Sequence, residues 1–191
     1  PLYNKRTDEF GGSLENRVRF PKLVLEKVRA AVGPMFPISF RFSADEFMEG
    51  GNTLEDTLEM MEYLIDEIDI LNVSAAVNDT LQYQIDANYL KDGWRSYMAK
   101  AFKEKFNKPV ITSGNIRNPE VAEKILAEGH ADLLAMGRGL IADPEWVNKV
   151  RSGREDELRK CISCNIACSG HRIGLNRPVR CTVNPSVIFG D

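Results

Sequence analysis

The sequence lacks several features that would each assign it to a class of protein. No run of 18 apolar residues occurs, so no stretch is typical of a membrane-spanning helix. The 25 Lys and Arg residues are outnumbered by 28 Asp and Glu residues, and the net charge of −3 offers no basic field for nucleic acid or an anionic membrane. No secretory signal pattern opens the sequence, so we expect a cytoplasmic protein. Because the first residue is Pro1 rather than Met, we expect the chain to belong to a longer protein.

Cysteine is absent from the first 160 residues and then occurs four times, at Cys161, Cys164, Cys168 and Cys181. A disulfide scaffold would spread its cysteines along the chain, whereas this clustering favours a metal site. The spacing is typical of a [4Fe–4S] cluster, in which a compact loop supplies three thiolates and a distant cysteine supplies the fourth. A zinc site, with His171 replacing one thiol, and free or disulfide-bonded thiols are the alternatives.

Strand and helix patterns alternate from residue 37 onward. Short apolar runs with few polar residues predict four buried strands: Pro37–Phe42, Ile68–Ala75, Pro109–Ser113 and Asp132–Met136. Helical spacing predicts helices after them, with a capping box of Thr53 and Asp56 at the start of the first and a last helix from Asp143-Pro144 to near Gly153. An earlier helix is predicted from Ser13 to Ala31, and Pro21 is expected to break or restart it. The pattern predicts an α/β fold with parallel strands, either an open doubly wound sheet or part of a (β/α)8 barrel.

Glycine and arginine follow the predicted strands at the ends where ligands bind in parallel α/β folds. Arg41 lies in the first of these strands, Gly114 and Asn115 follow the third, and Gly137 and Arg138 follow the fourth. Glycine lets a backbone N–H approach a phosphate closely, and arginine binds phosphate oxygens through charge-assisted hydrogen bonds. The two loops therefore predict a phosphate site. The alternative is that the glycines only make tight turns and Arg138 is solvated.

Several segments resemble, in the same order, the Old Yellow Enzyme family of flavin oxidoreductases, and in particular its larger iron–sulfur members. The resemblance is carried by Asn4–Ser13 with Glu15-Asn16-Arg17, Arg41-Phe42-Ser43, Ser113–Ile116, Met136–Pro144, and the four cysteines followed by Val183-Asn184-Pro185. Phe10 stands where tyrosine is frequent in that family, and no histidine occurs in the segment from Asn72 to Asn78, where some members carry a catalytic one.

The resemblance implies that residues 1–153 form the C-terminal half of an FMN-binding TIM barrel, strands five to eight, and that residues 154–191 form an iron–sulfur segment. Arg41 is then expected at the N1/C2=O side of the flavin, and the phosphate is expected at Gly114, Asn115, Gly137 and Arg138. The four cysteines are expected to hold a [4Fe–4S] cluster. The catalytic residues are expected upstream of Pro1, and a domain that binds FAD and NAD(P)H is expected after Asp191.

The implied function is NAD(P)H-dependent reduction of an activated C=C bond, in an enoate, a dienoyl-CoA or an enone. An amine or N-methyl dehydrogenase and a catalytically inactive structural fragment are the alternatives. Half of a barrel would expose two apolar strand edges, which recruit other chains. We therefore expect the chain alone to be inactive and to self-associate, or to bind the missing N-terminal half.

Overall fold

A parallel four-stranded sheet organises the computed structural model, which describes residues 1–189. The strands are β1 (Ser39–Ser43), β2 (Ile70–Ser74), β3 (Val110–Ser113) and β4 (Leu133–Ala135). They pair in chain order, β1-β2-β3-β4, so β1 and β4 form the two edges of the described sheet. The α/β fold with a parallel sheet is therefore confirmed, and each strand lies within two residues of its predicted bounds.

One α-helix precedes the first strand, and others follow each strand. They are α1 (Leu14–Val32), α2 (Leu54–Glu62), α3 (Leu81–Gln84), α4 (Ser96–Phe106), α5 (Pro119–Ala127), α6 (Arg138–Ala142), α7 (Trp146–Arg151) and α8 (Ser186–Phe189). A π-helical segment spans Ile166–Gly174, between the third and fourth cysteines for most of its length. Among the described residues, no helix combines the length and the apolar character needed to cross a bilayer.

The two faces of the sheet differ in what covers them. On one face, strand residues such as Leu71, Val73 and Val110 are at most 3% exposed and pack with helix residues such as Phe102 and Met61 in a single apolar core. The other face carries Arg41 and the serines that end β1, β2 and β3, and its residues are exposed or half-buried. The helices thus cover one face only, and the polar face is left open.

Helix α1 runs without interruption through Pro21, so the predicted break is wrong. Proline removes one backbone N–H and crowds the preceding turn, which weakens a helix but does not end it when packing holds both sides. Here the Ser13 hydroxyl caps the N-terminus by accepting from Asn16 N, and Val18 and Leu25 are buried on either side of Pro21. Local propensity was outweighed by tertiary packing.

The segment after β4 forms two short helices, whereas the sequence predicted one helix from Asp143-Pro144 to near Gly153. The first, α6, begins directly after Gly137 and contains Arg138. Asp143 ends it, and its carboxylate accepts a hydrogen bond from Glu145 N before α7 starts at Trp146. The N-cap position predicted at Asp143 is therefore displaced by two residues, to Glu145, and the glycine–arginine loop lies at the start of a helix.

Candidate functional site

A cavity of about 240 Å³ opens at the carboxyl ends of the strands. It brings together all five residues that the sequence predicted for a flavin site: Arg41, Gly114, Asn115, Gly137 and Arg138. The loops after β3 and β4 supply four of them, because neighbouring parallel strands deliver their following loops to the same edge of the sheet. The predicted residues therefore share one cavity, and their roles stay predictions.

Arg138 is held by four hydrogen bonds rather than solvated. Its Nη1 donates to the Asp86 carbonyl at 2.9 Å and to Asn165 Oδ1 at 2.6 Å, and its Nη2 donates to Asn115 Oδ1 at 3.0 Å and to the Asp86 carboxylate at 3.3 Å. Fixed guanidinium geometry of this kind suits the recognition of an anion with several oxygens. The reading of Arg138 as free surface is not supported by these contacts.

Asp86 and Arg95 also line the cavity, and the sequence did not indicate either. Asp86 is 3% exposed and Arg95 is 5% exposed. The Asp86 carboxylate accepts from Trp94 Nε1 at 2.7 Å and from Asn115 N at 3.3 Å, and it lies 3.6 Å from Arg95 Nη2. A buried carboxylate between two guanidinium groups holds both in place, and it leaves an excess of positive charge at the cavity.

Burial is the main reason why the pKa of Arg95 is lowered, and the positive charges of Arg41 and Arg138 lower it further, while Asp86 opposes the change. Arginine still carries its charge at any physiological pH. Four arginines and one aspartate line the cavity, and this excess of positive charge makes it attractive to an anion such as a phosphate.

Gly114 has a steric reason to be glycine. Its φ of +123° lies in a region that side chains rarely adopt, and a β-carbon there would overlap Arg95 Nε. Arg95 Nε donates to the Ser113 carbonyl at 2.7 Å, so the guanidinium lies directly against the loop after β3. The loop after β3 and Arg95 can approach this closely because Gly114 has no side chain.

Arg41 projects from β1 onto the open face of the sheet. Its Nη1 donates to Asn72 Oδ1 and its Nη2 donates to Ser74 Oγ, both at 3.0 Å. Arg41 and Asn72 are directly paired in the register of β1 and β2, and this pairing sets the position of Arg41 on the sheet. Arg41 is exposed and lines the cavity, in a position that a planar ligand on the open face could reach.

The four cysteines line a second, smaller cavity of about 20 Å³. All four thiols are free and half-buried. Burial alone would raise the pKa of Cys164, but the Thr182 hydroxyl at 3.3 Å, the Ile166 N–H and the charge of Arg138 outweigh it and hold that pKa below its usual range. Within residues 1–189 no three His, Cys, Asp or Glu side chains converge in a metal-binding arrangement. Four cysteine thiols suit a metal group that prefers sulfur ligands. Their sulfur atoms are not arranged around a common centre as the ligands of such a group would be.

Polar contacts attach the cysteine segment, which begins at residue 154, to the sheet region, residues 1–153. Asn184 is 2% exposed, donates from Nδ2 to the Ile141 carbonyl at 2.9 Å and accepts from Arg159 at 3.0 Å. The Asp143 carboxylate, which is fully buried, accepts from Lys149 Nζ at 2.7 Å and from Arg159 N at 3.0 Å. These contacts fix where the segment starts and where Cys181 returns to the site.

Comparison with known proteins identifies a matching family and several similar proteins. A model of the NADH:flavin oxidoreductase / NADH oxidase family matches residues 1–157. An NADH oxidase of Thermoanaerobacter brockii is 52% identical over 186 residues, which cover 97% of this chain and 29% of that protein. A structure of a 2-naphthoyl-CoA reductase complex superposes with a TM-score of 0.89 at 32% identity, covering 97% of this chain and 28% of the other.

Histamine dehydrogenase from Rhizobium sp. 4-9 superposes with a TM-score of 0.86 at 31% identity, covering 98% of this chain and 27% of the other. The chain thus spans less than a third of the length of each of these relatives. The family match covers the strands, the loops and the arginines that build the larger cavity. On this basis the chain belongs to the NADH:flavin oxidoreductase / NADH oxidase family.

Proposed function

We propose that this chain is the flavin-phosphate-binding and iron–sulfur-binding part of an NAD(P)H oxidoreductase that uses FMN and a [4Fe–4S] cluster to reduce an activated C=C bond. The observation that carries the proposal is the pair of adjoining cavities. One is lined by four arginines and two glycine-containing loops, and the other is lined by the four cysteines. Arg138 and Cys161 line both cavities, so the two sites are neighbours.

For FMN, the residues present fit the group. The loops at Gly114, Asn115 and Gly137 would offer backbone N–H groups to the phosphate, and Arg138 would bind its oxygens. Arg41 would lie against the isoalloxazine, where a positive charge favours the reduced, anionic flavin. When bound, FMN supplies hydride and single-electron transfer. The protein's part is to fix the ring against the open face and to set the charge around it.

For the cluster, the donor chemistry fits as well. Four cysteine thiolates are the usual ligands of a [4Fe–4S] cluster, and the lowered pKa of Cys164 favours the thiolate that binds metal. Such a cluster supplies one-electron transfer. We propose that its partner is a domain binding FAD and NAD(P)H that follows this chain. The free thiols accord with a cytoplasmic location, where cysteines stay reduced.

We further propose that residues 1–153 are half of a (β/α)8 barrel and that residues 154–191 are the iron–sulfur segment. The strands pair in sequential order, the helices cover one face, and the polar face is open. A doubly wound sheet would reverse its strand order and cover both faces. An exposed apolar stripe on α1 also supports a missing partner, and it comprises Phe20, Leu23, Val24, Val28 and Val32. The N-terminal half-barrel would cover this stripe, and without it β1 and β4 could pair with other copies.

The similar structures favour two different substrate chemistries. A C=C bond conjugated to a carbonyl accords with the likeness to 2-naphthoyl-CoA reductase, and the likeness to histamine dehydrogenase favours amine oxidation as the second candidate. Anaerobic turnover of the intact protein distinguishes them. We expect NADH oxidation to be coupled to reduction of an enoate or enone, and amine-dependent flavin reduction without NADH-dependent alkene reduction would favour the alternative.

The cofactor content of the anaerobically purified intact protein tests the proposal directly. We expect a brown protein that contains FMN and about four iron atoms per chain. Stoichiometric zinc without iron would contradict the cluster, and the absence of FMN would contradict the flavin site. If the isolated 191-residue chain were a monomer that bound FMN as tightly as the intact protein, the half-barrel would be wrong. Turnover by the intact protein would exclude a purely structural role.

A further inference from the structure

Two side chains of the cysteine loop reach directly into the larger cavity's hydrogen-bond network. Asn165 Oδ1 accepts from Arg138 Nη1 at 2.6 Å, and Ser163 Oγ donates to Asn115 Oδ1 at 2.8 Å. Asn115 Oδ1 also accepts from Arg138 Nη2 at 3.0 Å. The loop between the first and third cysteines is thus bonded to Arg138 and Asn115, two of the four residues proposed to hold the flavin phosphate.

The backbone of these two residues is held in an uncommon conformation. Ser163 has a φ of +49° and Asn165 has a φ of +59°, although neither is glycine. They flank Cys164, and Ser163 N donates to Cys161 Sγ at 3.4 Å. Left-handed conformation at non-glycine residues persists only where the surroundings enforce it. The hydrogen bonds of both side chains and the contact with Cys161 hold the loop in this conformation.

Asn165 has a second anchor on the opposite side of the cavity. Its Nδ2 donates to the Ile85 carbonyl at 2.8 Å, next to Asp86, whose carboxylate also binds Arg138. Ser163 is only 3% exposed, so its hydroxyl has no access to bulk water as a substitute partner. A displacement of the loop would therefore cost Arg138 and Asn115 one hydrogen-bond partner each.

We propose that Ser163 and Asn165 are positioning residues that couple the four-cysteine site to the flavin-phosphate cavity, so that each cofactor binds more tightly when the other is present. This inference rests on the proposed function. A metal group bound by the cysteines fixes the loop, the loop fixes Arg138 and Asn115, and these bind the phosphate. By thermodynamic linkage the effect is reciprocal, and bound FMN strengthens metal retention by the same factor.

The experiment measures FMN affinity in the intact protein by flavin fluorescence, with iron present and after removal of iron by a chelator. We expect the loss of iron to weaken FMN binding roughly 5- to 150-fold, the usual range of coupling between sites. Asn165→Gly should weaken FMN binding within the same range while iron is bound, because glycine keeps the left-handed backbone and removes only the side chain. In this variant the loss of iron should then have a smaller effect on FMN affinity.

A matched control comes from the same segment. Asn176 also has a left-handed φ, of +47°, but it accepts from Arg172 and does not contact Arg138. Asn176→Gly should leave FMN affinity and its dependence on iron unchanged. The fraction of iron lost at equilibrium with a fixed concentration of chelator gives the reciprocal measurement: FMN should reduce it in the unaltered protein and in Asn176→Gly, and much less in Asn165→Gly. Ser163→Gly provides a second variant if Asn165→Gly fails to fold.

Equal FMN affinity with and without iron would overturn the coupling and leave the proposed function standing. The coupling would also be wrong if Asn165→Gly and Asn176→Gly behaved alike. An intact protein that binds no FMN in any form would overturn the proposed function and the coupling together. FMN binding with zinc in place of iron would overturn the proposed cluster but keep the coupling, provided that removal of zinc weakens FMN binding.

Discussion

The sheet region, residues 1–153, and the cysteine segment, residues 154–191, are stabilised in opposite ways. All the buried apolar residues of the described chain lie in the sheet region, where they form one core. Between residues 154 and 187, the only buried residues are Ser163 and Asn184, both polar. The cysteine segment meanwhile exposes Ile162, Ile166, Ile173 and Leu175 by 50% or more.

This difference shows that burial of apolar surface can stabilise one region but not the other. A short segment without a core usually depends on disulfides or on metal. Its four thiols are free, and hydrogen bonds each contribute only about 1 kcal/mol net. The cysteine segment is therefore expected to owe its order to a bound metal group, and the sheet region is not.

Removal of the metal should have the largest effect on stability, and the loss of stability should be confined to the cysteine segment. Structural metal sites contribute on the order of 10 kcal/mol, because metal binding supplies folding free energy. We expect chelation, or replacement of all four cysteines by serine, to make the exposed Arg172, Arg177 and Arg180 sensitive to trypsin. Mass spectrometry of a timed digest gives the result. Basic residues of the sheet region serve as the internal control, and equal acceleration in both regions would contradict the comparison.

Truncation of a core side chain should instead destabilise the sheet region. Phe102 is fully buried and packs edge-to-face on Phe42 with ring centroids 4.8 Å apart. Phe102→Ala should lower the free energy of unfolding by roughly 3–5 kcal/mol. Phe36→Ala is the matched control, since Phe36 is 60% exposed, and it should change little. Urea denaturation measures both. Similar values for the two variants would mean that the core does not stabilise this region.

Asp143 connects the two regions, so its loss should affect both. The carboxylate is fully buried and binds Lys149 in the sheet region and Arg159 N in the cysteine segment. Asp143→Asn leaves Lys149 without a charged partner, which typically costs roughly 3–5 kcal/mol where a buried ion pair is broken. The exposed Asp156→Asn is the control. A variant with unchanged stability and unchanged iron retention would refute this connection.

The same contact predicts a pH dependence. Burial alone would raise the pKa of Asp143, but Lys149 and the N–H groups of Arg159 and Glu145 hold it below the usual value. A carboxyl group whose pKa is lower in the folded protein stabilises it fully above the unfolded pKa of about 3.9, and that stability is lost as the pH falls through the folded pKa. Denaturation midpoints below pH 4 should therefore fall more steeply in the unaltered protein than in Asp143→Asn.

The smallest of these effects is expected from Arg138→Ala, and it is measured on ligand binding. A charge-assisted contact with phosphate contributes roughly 1.5–3 kcal/mol, or about 10- to 150-fold in FMN affinity. Fluorescence titration of the intact protein measures it, with the exposed Arg177→Ala as control. Unchanged FMN affinity would mean that the contacts of Arg138 are structural only.

The sequence predicted the strands well because each is a short apolar run between clear helix signals. The Thr53 capping box formed as expected, with Thr53 and Asp56 bonded reciprocally. Arg41, Gly114 and Arg138 could be predicted to lie near one another because strand ends and glycine loops mark sites in parallel folds, and their binding roles stay predictions. Their common cavity follows from topology and so could be expected before any distance was known.

Asp86 and Arg95 were missed because nothing local marks them. Both lie between β2 and α4, where charged residues are common in exposed loops. Their burial depends on the loop after β3, which lies 29 residues beyond Asp86 at Asn115 and bonds to it. Pairing between residues so far apart has no periodic signal. The only hint was the glycine at position 114, whose lack of a side chain accommodates Arg95.

One hydrogen bond makes the cavity visible to optical spectroscopy. Trp94 Nε1 donates to the Asp86 carboxylate at 2.7 Å, and the other oxygen of that carboxylate faces Arg138. The chain has only two tryptophans, and the indole of Trp146 donates instead to the Arg117 carbonyl at 3.4 Å. An anion that draws Arg138 away from Asp86 changes the field at the Trp94 indole. The emission of a Trp146→Phe protein is thereby an intrinsic, dye-free signal for titrating inorganic phosphate into the site.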